Sequence, residues 1–139
     1  LKIYGNGVLL EELKNYIKNS KFSEAFSIEG FINKIELKQS YKESHFLILP
    51  SRSEGWPKAV AEAMFFGCIP IATNVSCLSW MMGEGERGII IPTDLDKAIN
   101  IILDKLKNRD TLKAMSAGAQ KWSQQYTLER FETEIRKFL

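Results

Sequence analysis

Only two cysteines, Cys68 and Cys77, occur in the 139 residues, and neither belongs to a CxxC or CxxH spacing. That pattern argues against a disulfide framework and against a zinc site, and it fits a reducing cytosol. Both thiols sit beside apolar residues, which predicts buried, inert groups. No apolar run approaches the roughly 20 residues a bilayer-spanning helix needs, and the N-terminus lacks the basic, apolar, small-residue order of a secretory signal, so the chain reads as soluble and cytoplasmic. An excess of one charge is missing as well. Nineteen lysines and arginines against 17 acids leave a formal charge of +2, too little to draw in nucleic acid or an anionic membrane surface, so any anion site has to be local. There is no internal repeat and no low-complexity segment. The first residue is Leu1 rather than methionine, in a stretch Leu1-Lys2-Ile3-Tyr4 that already has strand character; this abrupt start predicts a fragment.

A hydrophobic fraction of 45% is ordinary for a chain that buries one core, and one domain is the default at this length. After a Gly5-Asn6-Gly7 turn, Val8, Leu9, Leu10, Leu13, Tyr16 and Ile17 recur at helical spacing. Phe26 to Glu29 alternates as a short strand ending at Gly30. A helix follows over 34–43, with Ile35, Leu37 and Tyr41 expected inward. His45 to Leu49 is almost continuously apolar, as a strand covered on both faces would be. Next come a polar loop over 51–56, Pro57 at a first helical position, a helix from Lys58 to Phe66 closed by Gly67, and a strand from Cys68 to Thr73. A short helix around Leu78 to Met82, a turn at Gly83 to Glu86 and a strand from Gly88 to Ile91 precede three helices, the first capped at Thr93 or Asp94. Strands and helices that alternate without tight hairpins predict an α/β fold, a Rossmann-like three-layer domain with a mostly parallel sheet and C-terminal helices. Small molecules bind such sheets in the crevice outside the carboxyl ends of the strands. The loops at 5–7, 30–33, 50–57 and 73–78 are therefore the candidate ligand loops.

The most informative of these begins a stretch that runs on into the helix, Leu49-Pro50-Ser51-Arg52-Ser53-Glu54-Gly55-Trp56-Pro57-Lys58-Ala59-Val60-Ala61-Glu62-Ala63-Met64. Glu54 lies in the loop and Glu62 in the second turn of the helix. Gly55 permits close backbone approach, and amides at the helix start can hold an anion such as a diphosphate. A carboxylate that stays ionised at neutral pH is suited to accept hydrogen bonds from ribose hydroxyls. A plainer reading stands beside this one: Lys58 and Glu62 are four apart, and a helical ion pair needs no function. Asp94-Leu95-Asp96 has the form of an Asp-x-Asp metal motif, yet it opens a helix after Pro92, where acids cap. His45, the single histidine, begins a strand and reads as structural or solvent-facing. Phe65-Phe66 and Trp80-Met81-Met82 read as core or interface packing.

The stretch resembles the signature of the retaining, nucleotide-sugar-dependent glycosyltransferases of family 4, which have the two-domain GT-B architecture and are also called glycosyl transferases group 1. The likeness rests on two glutamates separated by seven residues, within Pro-Ser-x-x-Glu-Gly-aromatic, a helix ending Glu-Ala-Met, a glycine, and a strand leading to Pro-Ile-Ala-Thr. Gly30-Phe31 and the Glu84-Gly85-Glu86-Arg87-Gly88 turn fall in the same order. The resemblance implies that residues 1–139 are part of a C-terminal donor-binding domain. An N-terminal acceptor domain, the first strand of this domain, and an arginine and lysine that neutralise the leaving diphosphate would lie upstream. It further implies that Glu62 binds the donor ribose, that Glu54 is the catalytic-site carboxylate contacting the transferred sugar, and that the backbone of Gly55, Trp56, Pro57, Lys58 and Ala59 meets sugar and diphosphate. The backbone of Phe31 and Ile32 would read the base edge. No metal and no cofactor beyond the nucleoside-diphosphate sugar is expected. The other partner would be a carbohydrate or lipid-linked acceptor in cell-envelope or capsular polysaccharide synthesis, with any contact to the inner membrane face made by the absent half. By itself, the fragment would transfer nothing.

One departure from the family pattern is Trp56-Pro57-Lys58, where many relatives have Phe-Gly and an aliphatic residue. Proline removes an amide donor, and Lys58 is the candidate replacement through its charge. Trp122, Tyr126 and Phe131 are candidates for covering a partner domain. Alternatives of another class are an epimerase-like enzyme of the same architecture and a non-catalytic Rossmann-like interaction module.

Overall fold

The computed structural model describes residues 1–138 as two compact units, Leu1–Ser40 and Tyr41 onward. In the first unit, β1 (Lys2–Tyr4) pairs in parallel with β2 (Ser27–Gly30), and α1 (Leu10–Lys18) and a 3-10 turn (Ser23–Ala25) connect them. Helix α2 (Lys34–Glu43) follows. Its start is a reciprocal cap: Asn33 Oδ1 accepts from the amides of Ile35 and Glu36 at 2.9 and 3.0 Å, and Glu36 Oε2 accepts from the Asn33 amide at 3.2 Å. Two donors the helix leaves orphaned are met by one side chain.

The apolar faces of these helices are narrower than their periodicity predicts. On α1 only Leu10, Leu13 and Ile17 are half-buried, whereas Tyr16 is 75% exposed; Val8 and Leu9, also exposed, precede the helix. Ile35 is exposed too, and the covered stripe of α2 is Leu37 and Tyr41, four residues apart. Helical spacing fixes an angle around the axis and not the width of surface a neighbour covers.

The second unit carries a three-stranded parallel sheet ordered β3 (Phe46–Leu49), β4 (Ile69–Thr73), β5 (Ile89–Ile91). Central β4 is buried at every residue, the state expected of a strand with both faces covered. The period of two divides its side chains between two cores. Ile69 and Ile71, with Ile89 and Ile91, pack on Ala98 of α5 (Leu95–Leu106) and Met115 of α6 (Arg109–Ser123). Ala72 faces Val60 and Met64 of α3 (Lys58–Phe65) together with Leu78 and Met81 of α4 (Leu78–Met81) and Met82. Helices thus cover both faces of β4, as the alternating sequence predicts, whereas on edge strand β3 Ile48 is 46% exposed, so that apolar run is not covered on both faces as its composition predicts. The hydrogen bonding differs from a single sheet in being divided between β1-β2 and β3-β4-β5.

Pro70 stands in the middle of this central strand, where a missing amide usually costs a ladder bond. Pairing with β5 begins only at Ile71 opposite Ile89, so no β5 partner is claimed at Pro70. The space its ring needs comes from Gly88. A Cβ there would lie 2.8 Å from Pro70 Cγ and 2.7 Å from Met82 Sδ.

Three of the later helices start at side-chain caps. Asp94 Oδ1 accepts from the Lys97 amide at 2.9 Å, Asn108 Oδ1 from Thr111 at 3.0 Å, and Thr127 Oγ1 from Arg130 at 3.3 Å at the start of α7 (Leu128–Ile135). Asp94 therefore acts as a cap. Helix α6 is also latched to α3 and the turn after it: Ser123 Oγ donates to Ala61 O and Ser116 Oγ to Gly67 O, both at 2.6 Å. No helix among the described residues is long and apolar enough to cross a membrane.

Candidate functional site

In a parallel sheet all strands end at the same edge, so the segments after β3 and after β4 emerge side by side. The first of them, 50–57, carries Glu54. It is anchored at its start by the Thr73 hydroxyl, which donates to Ser51 O. Further along, Ser76 Oγ donates to Gly55 O at 2.7 Å. Pro57 is buried and ends the loop.

Pro57 is the N-cap of α3 rather than its first helical residue, a correction to the sequence reading. Its φ of −76° is helical, but its ψ of 75° is not. That geometry folds the chain into a tight turn in which the Lys58 amide donates to Trp56 O at 2.8 Å. The Val60 amide is likewise taken, by Pro57 O at 3.0 Å. The helix start thus presents fewer open donors than its sequence suggests. Among the described residues, the amides of Gly55, Trp56 and Ala59 have no protein acceptor. A Cβ at Gly55 would meet nothing within 4 Å, so that backbone is open to close approach.

Glu54 is half-buried, with no ion pair or side-chain hydrogen bond among the described residues. Glu62 pairs with Lys58, Oε1 to Nζ at 3.4 Å, with their side chains 41% and 73% exposed. The helical ion pair of the plainer reading is therefore present. It is long and exposed, the kind that adds little to stability and is readily exchanged for another partner. Behind Glu62, Tyr41 is buried and stacks on Phe66 with ring centroids 6.3 Å apart. Its phenol is pushed up to about 12, first by burial, then by the charge of Glu62 and lastly by Cys68. The Glu62 carboxylate thus projects its field onto a neutral phenol.

Trp56, whose ring is largely exposed, leads into an aromatic cluster that local sequence patterns did not reveal. Its ring lies 6.4 Å from that of Trp80, which in turn lies 5.3 Å from Trp122, and Trp122 is 4.8 Å from Tyr126. Arg87 fixes the middle of the cluster. Its Nη2 donates to Trp80 O at 3.1 Å, its Nε to Met81 O at 3.3 Å, and its guanidinium carbon sits 5.3 Å from the Trp122 ring centroid. Met81 and Met82 are fully buried, as expected, while Trp80 and Phe65 remain at the surface. In the first unit, Phe31 and Ile32 directly follow β2; the Phe31 side chain is exposed and that of Ile32 half-buried. The adjoining turn is closed by the Gly5 amide donating to Gly30 O at 2.7 Å.

Known proteins are similar to this chain in sequence and in fold. An uncharacterized glycosyltransferase of Haemophilus influenzae is 32% identical over 145 residues, covering 100% of this chain and 39% of that protein. The UDP-Gal:alpha-D-GlcNAc-diphosphoundecaprenol alpha-1,3-galactosyltransferase of Escherichia coli is 30% identical over 112 residues, covering 76% of this chain and 28% of that protein. Among solved structures, Anabaena HepE in complex with UDP and glucose superposes with a TM-score of 0.83 at 17% identity, over 99% of this chain and 39% of that one. At that identity the likeness is one of fold. The chain spans well under half the length of these relatives. The profile of the family described as "Glycosyl transferases group 1" matches residues 1–122, nearly nine-tenths of the sequence and the whole of both parallel sheets, and the chain belongs to that family.

Proposed function

We propose that this chain is the nucleotide-sugar-binding part of a longer, retaining glycosyltransferase that moves a hexosyl-type sugar from a nucleoside diphosphate to a hydroxyl acceptor. The observation that carries the reading is the placement of Glu54 in the loop at the carboxyl edge of β3 and of Glu62 in the helix that follows it. Between them the amides of Gly55, Trp56 and Ala59 are open. Glu62 accepts hydrogen bonds from the donor ribose, leaving its loose pair with Lys58 to do so. Glu54, unpaired among the described residues, meets hydroxyls of the sugar beside the reacting carbon. The open amides of Gly55 and Trp56, beside Glu54, meet the sugar, that of Ala59 and the helix terminus take the diphosphate, and Lys58 supplies by its charge what the missing Pro57 amide cannot. The backbone of Phe31 and Ile32 reads the edge of the base.

Departure of the nucleoside diphosphate is then driven by stabilising the charge it develops, through fixed dipoles and cations that need no rearrangement as the bond breaks. A metal is not required for that. The E. coli relative is named for UDP-Gal and a diphosphoundecaprenol acceptor, and HepE binds UDP and glucose. These support UDP as the first nucleotide to try and a cytoplasmic role in cell-envelope or capsular polysaccharide synthesis, with a carbohydrate or lipid-linked acceptor held by the N-terminal domain of the full-length protein. Isothermal calorimetry of the full-length protein with UDP, GDP and ADP tests the donor site. One of them should bind, and Glu62→Gln should bind it at least about tenfold more weakly, the loss of a charged acceptor. Absence of binding to all three, or equal binding by the variant, sinks the proposal.

A further inference from the structure

We propose that Ser76 is a positioning residue for the Glu54-Gly55-Trp56 turn: its hydroxyl, donated to Gly55 O at 2.7 Å, sets the direction in which that turn meets the transferred sugar. The inference rests on the donor-site reading above and adds to it a residue from a different loop.

The backbone at Ser76 makes the case. Its φ is 52°, one of two positive values at non-glycine residues among those described, and the left-handed region is where a side chain is least comfortable. Glycine would adopt it without penalty. The Ser76 side chain is exposed and belongs to neither core cluster, so packing does not explain a side chain there. What serine adds over glycine is one hydroxyl, and that hydroxyl is spent on the turn carrying Glu54.

The turn needs such a tie. Residues 50–57 belong to no helix or strand. The Thr73 hydroxyl holds the start of the segment at Ser51, and buried Pro57 holds its end. Between those anchors lies Gly55, the residue with the most backbone freedom in the segment. No atom lies within 4 Å of where its Cβ would be, so packing does not restrict it. A hydrogen bond to the Gly55 carbonyl fixes the peptide plane that follows it, which carries the Trp56 amide. It also restrains the orientation of Glu54, one residue earlier. Ser76 therefore orders groups assigned to the sugar, its side chain's hydrogen bond among the described residues going to Gly55 O.

The test separates this from a structural role by the sign of the stability change. Full-length parent, Ser76→Gly and Ser76→Ala are titrated with UDP and with UDP-glucose, and their Tm values are measured; GDP or ADP with the matching sugar nucleotide replaces UDP if calorimetry selects it. Ser76→Gly relieves the backbone and loses the hydroxyl. Its Tm should equal or exceed the parent's, while UDP-glucose binds about 2- to 12-fold more weakly, the range for one lost hydrogen bond, and UDP changes little. Ser76→Ala should lose the same affinity and also lose Tm. Parental UDP-glucose affinity in Ser76→Gly overturns the inference and leaves the donor site standing, as does a parallel loss of UDP and UDP-glucose binding. A parent that binds none of the nucleotides overturns the donor-site reading and this inference with it.

Discussion

Lys58 Nζ and Glu62 Oε1 stand 3.4 Å apart across one turn of α3, the lysine largely and the glutamate partly open to water. A pair so exposed, with lysine on the N-terminal side, contributes about 0.5 kcal/mol or less. Lys58→Ala should therefore shift Tm by no more than a few degrees. If Lys58 instead serves the diphosphate, the same substitution weakens nucleotide binding several-fold, and the deficit shrinks as salt is raised. Unchanged affinity in Lys58→Ala at low salt removes lysine from the site and leaves only the helical ion pair.

Gly88 facing Pro70 gives a prediction about folding alone. A methyl group at Gly88 would crowd Pro70 Cγ and Met82 Sδ at 2.8 and 2.7 Å, and both residues are fully buried. The proline ring cannot rotate away, so the strain falls on β4 and on Met82. Gly88→Ala should cost about 1–3 kcal/mol, the usual range for overpacking a full core. Urea unfolding monitored by circular dichroism measures it. A midpoint equal to the parent's would mean that the Gly88 contact is not tight.

How much of this was legible in advance depended on distance along the chain. The alternation of apolar strands and helices is a local pattern, and it placed the loop at 50–57 at the carboxyl edge of the sheet; the two glutamates with seven residues between them are equally local. The Ser76 bond to Gly55 joins residues 21 apart, and the cluster from Trp56 to Tyr126 draws on three separate segments. No periodicity encodes such meetings. Pro57 illustrates a finer limit: proline is favoured at the first helical position, but its fixed φ also fits the residue before it, and only the observed ψ decides. Helical spacing groups Val8, Leu9 and Tyr16 with an apolar face and sets Ile35 inward, yet each is more than 60% exposed.

Tyr41 makes the fold sensitive to alkali. An unfolded tyrosine titrates near 10, whereas burial and the Glu62 charge raise the folded value to about 12. Between these values the unfolded chain releases its proton first, so the stabilisation is complete below about pH 10 and is lost as pH rises toward 12. Tyr41→Phe should flatten the pH dependence of stability across that window. Glu62→Gln should move the Tyr41 titration downward, visible in the phenolate absorbance difference between chains with and without Tyr41. No movement on Glu62→Gln would show that the carboxylate and the phenol do not sense each other.

The two cysteines should react in sequence, although their flanking residues predicted two equally inert thiols. Cys68 is fully buried, and its single thiol proton faces two carbonyl acceptors, Tyr41 O at 3.1 Å and Ser44 O at 3.2 Å from the sulfur. Burial pushes its pKa up, so little of the reactive thiolate forms. Cys77 is only half-buried, with its sulfur 3.8 Å from Met81 Sδ. Iodoacetamide added to the folded protein should label Cys77 first. Cys68 should follow only through unfolding, at least about a thousandfold more slowly for a domain of ordinary stability, and the gap should close as urea passes the unfolding midpoint. Peptide mass spectrometry at increasing urea reads both sites at once. Equal labelling in native buffer would place Cys68 outside the core, and with it the end of α2 that its thiol holds against the start of β4.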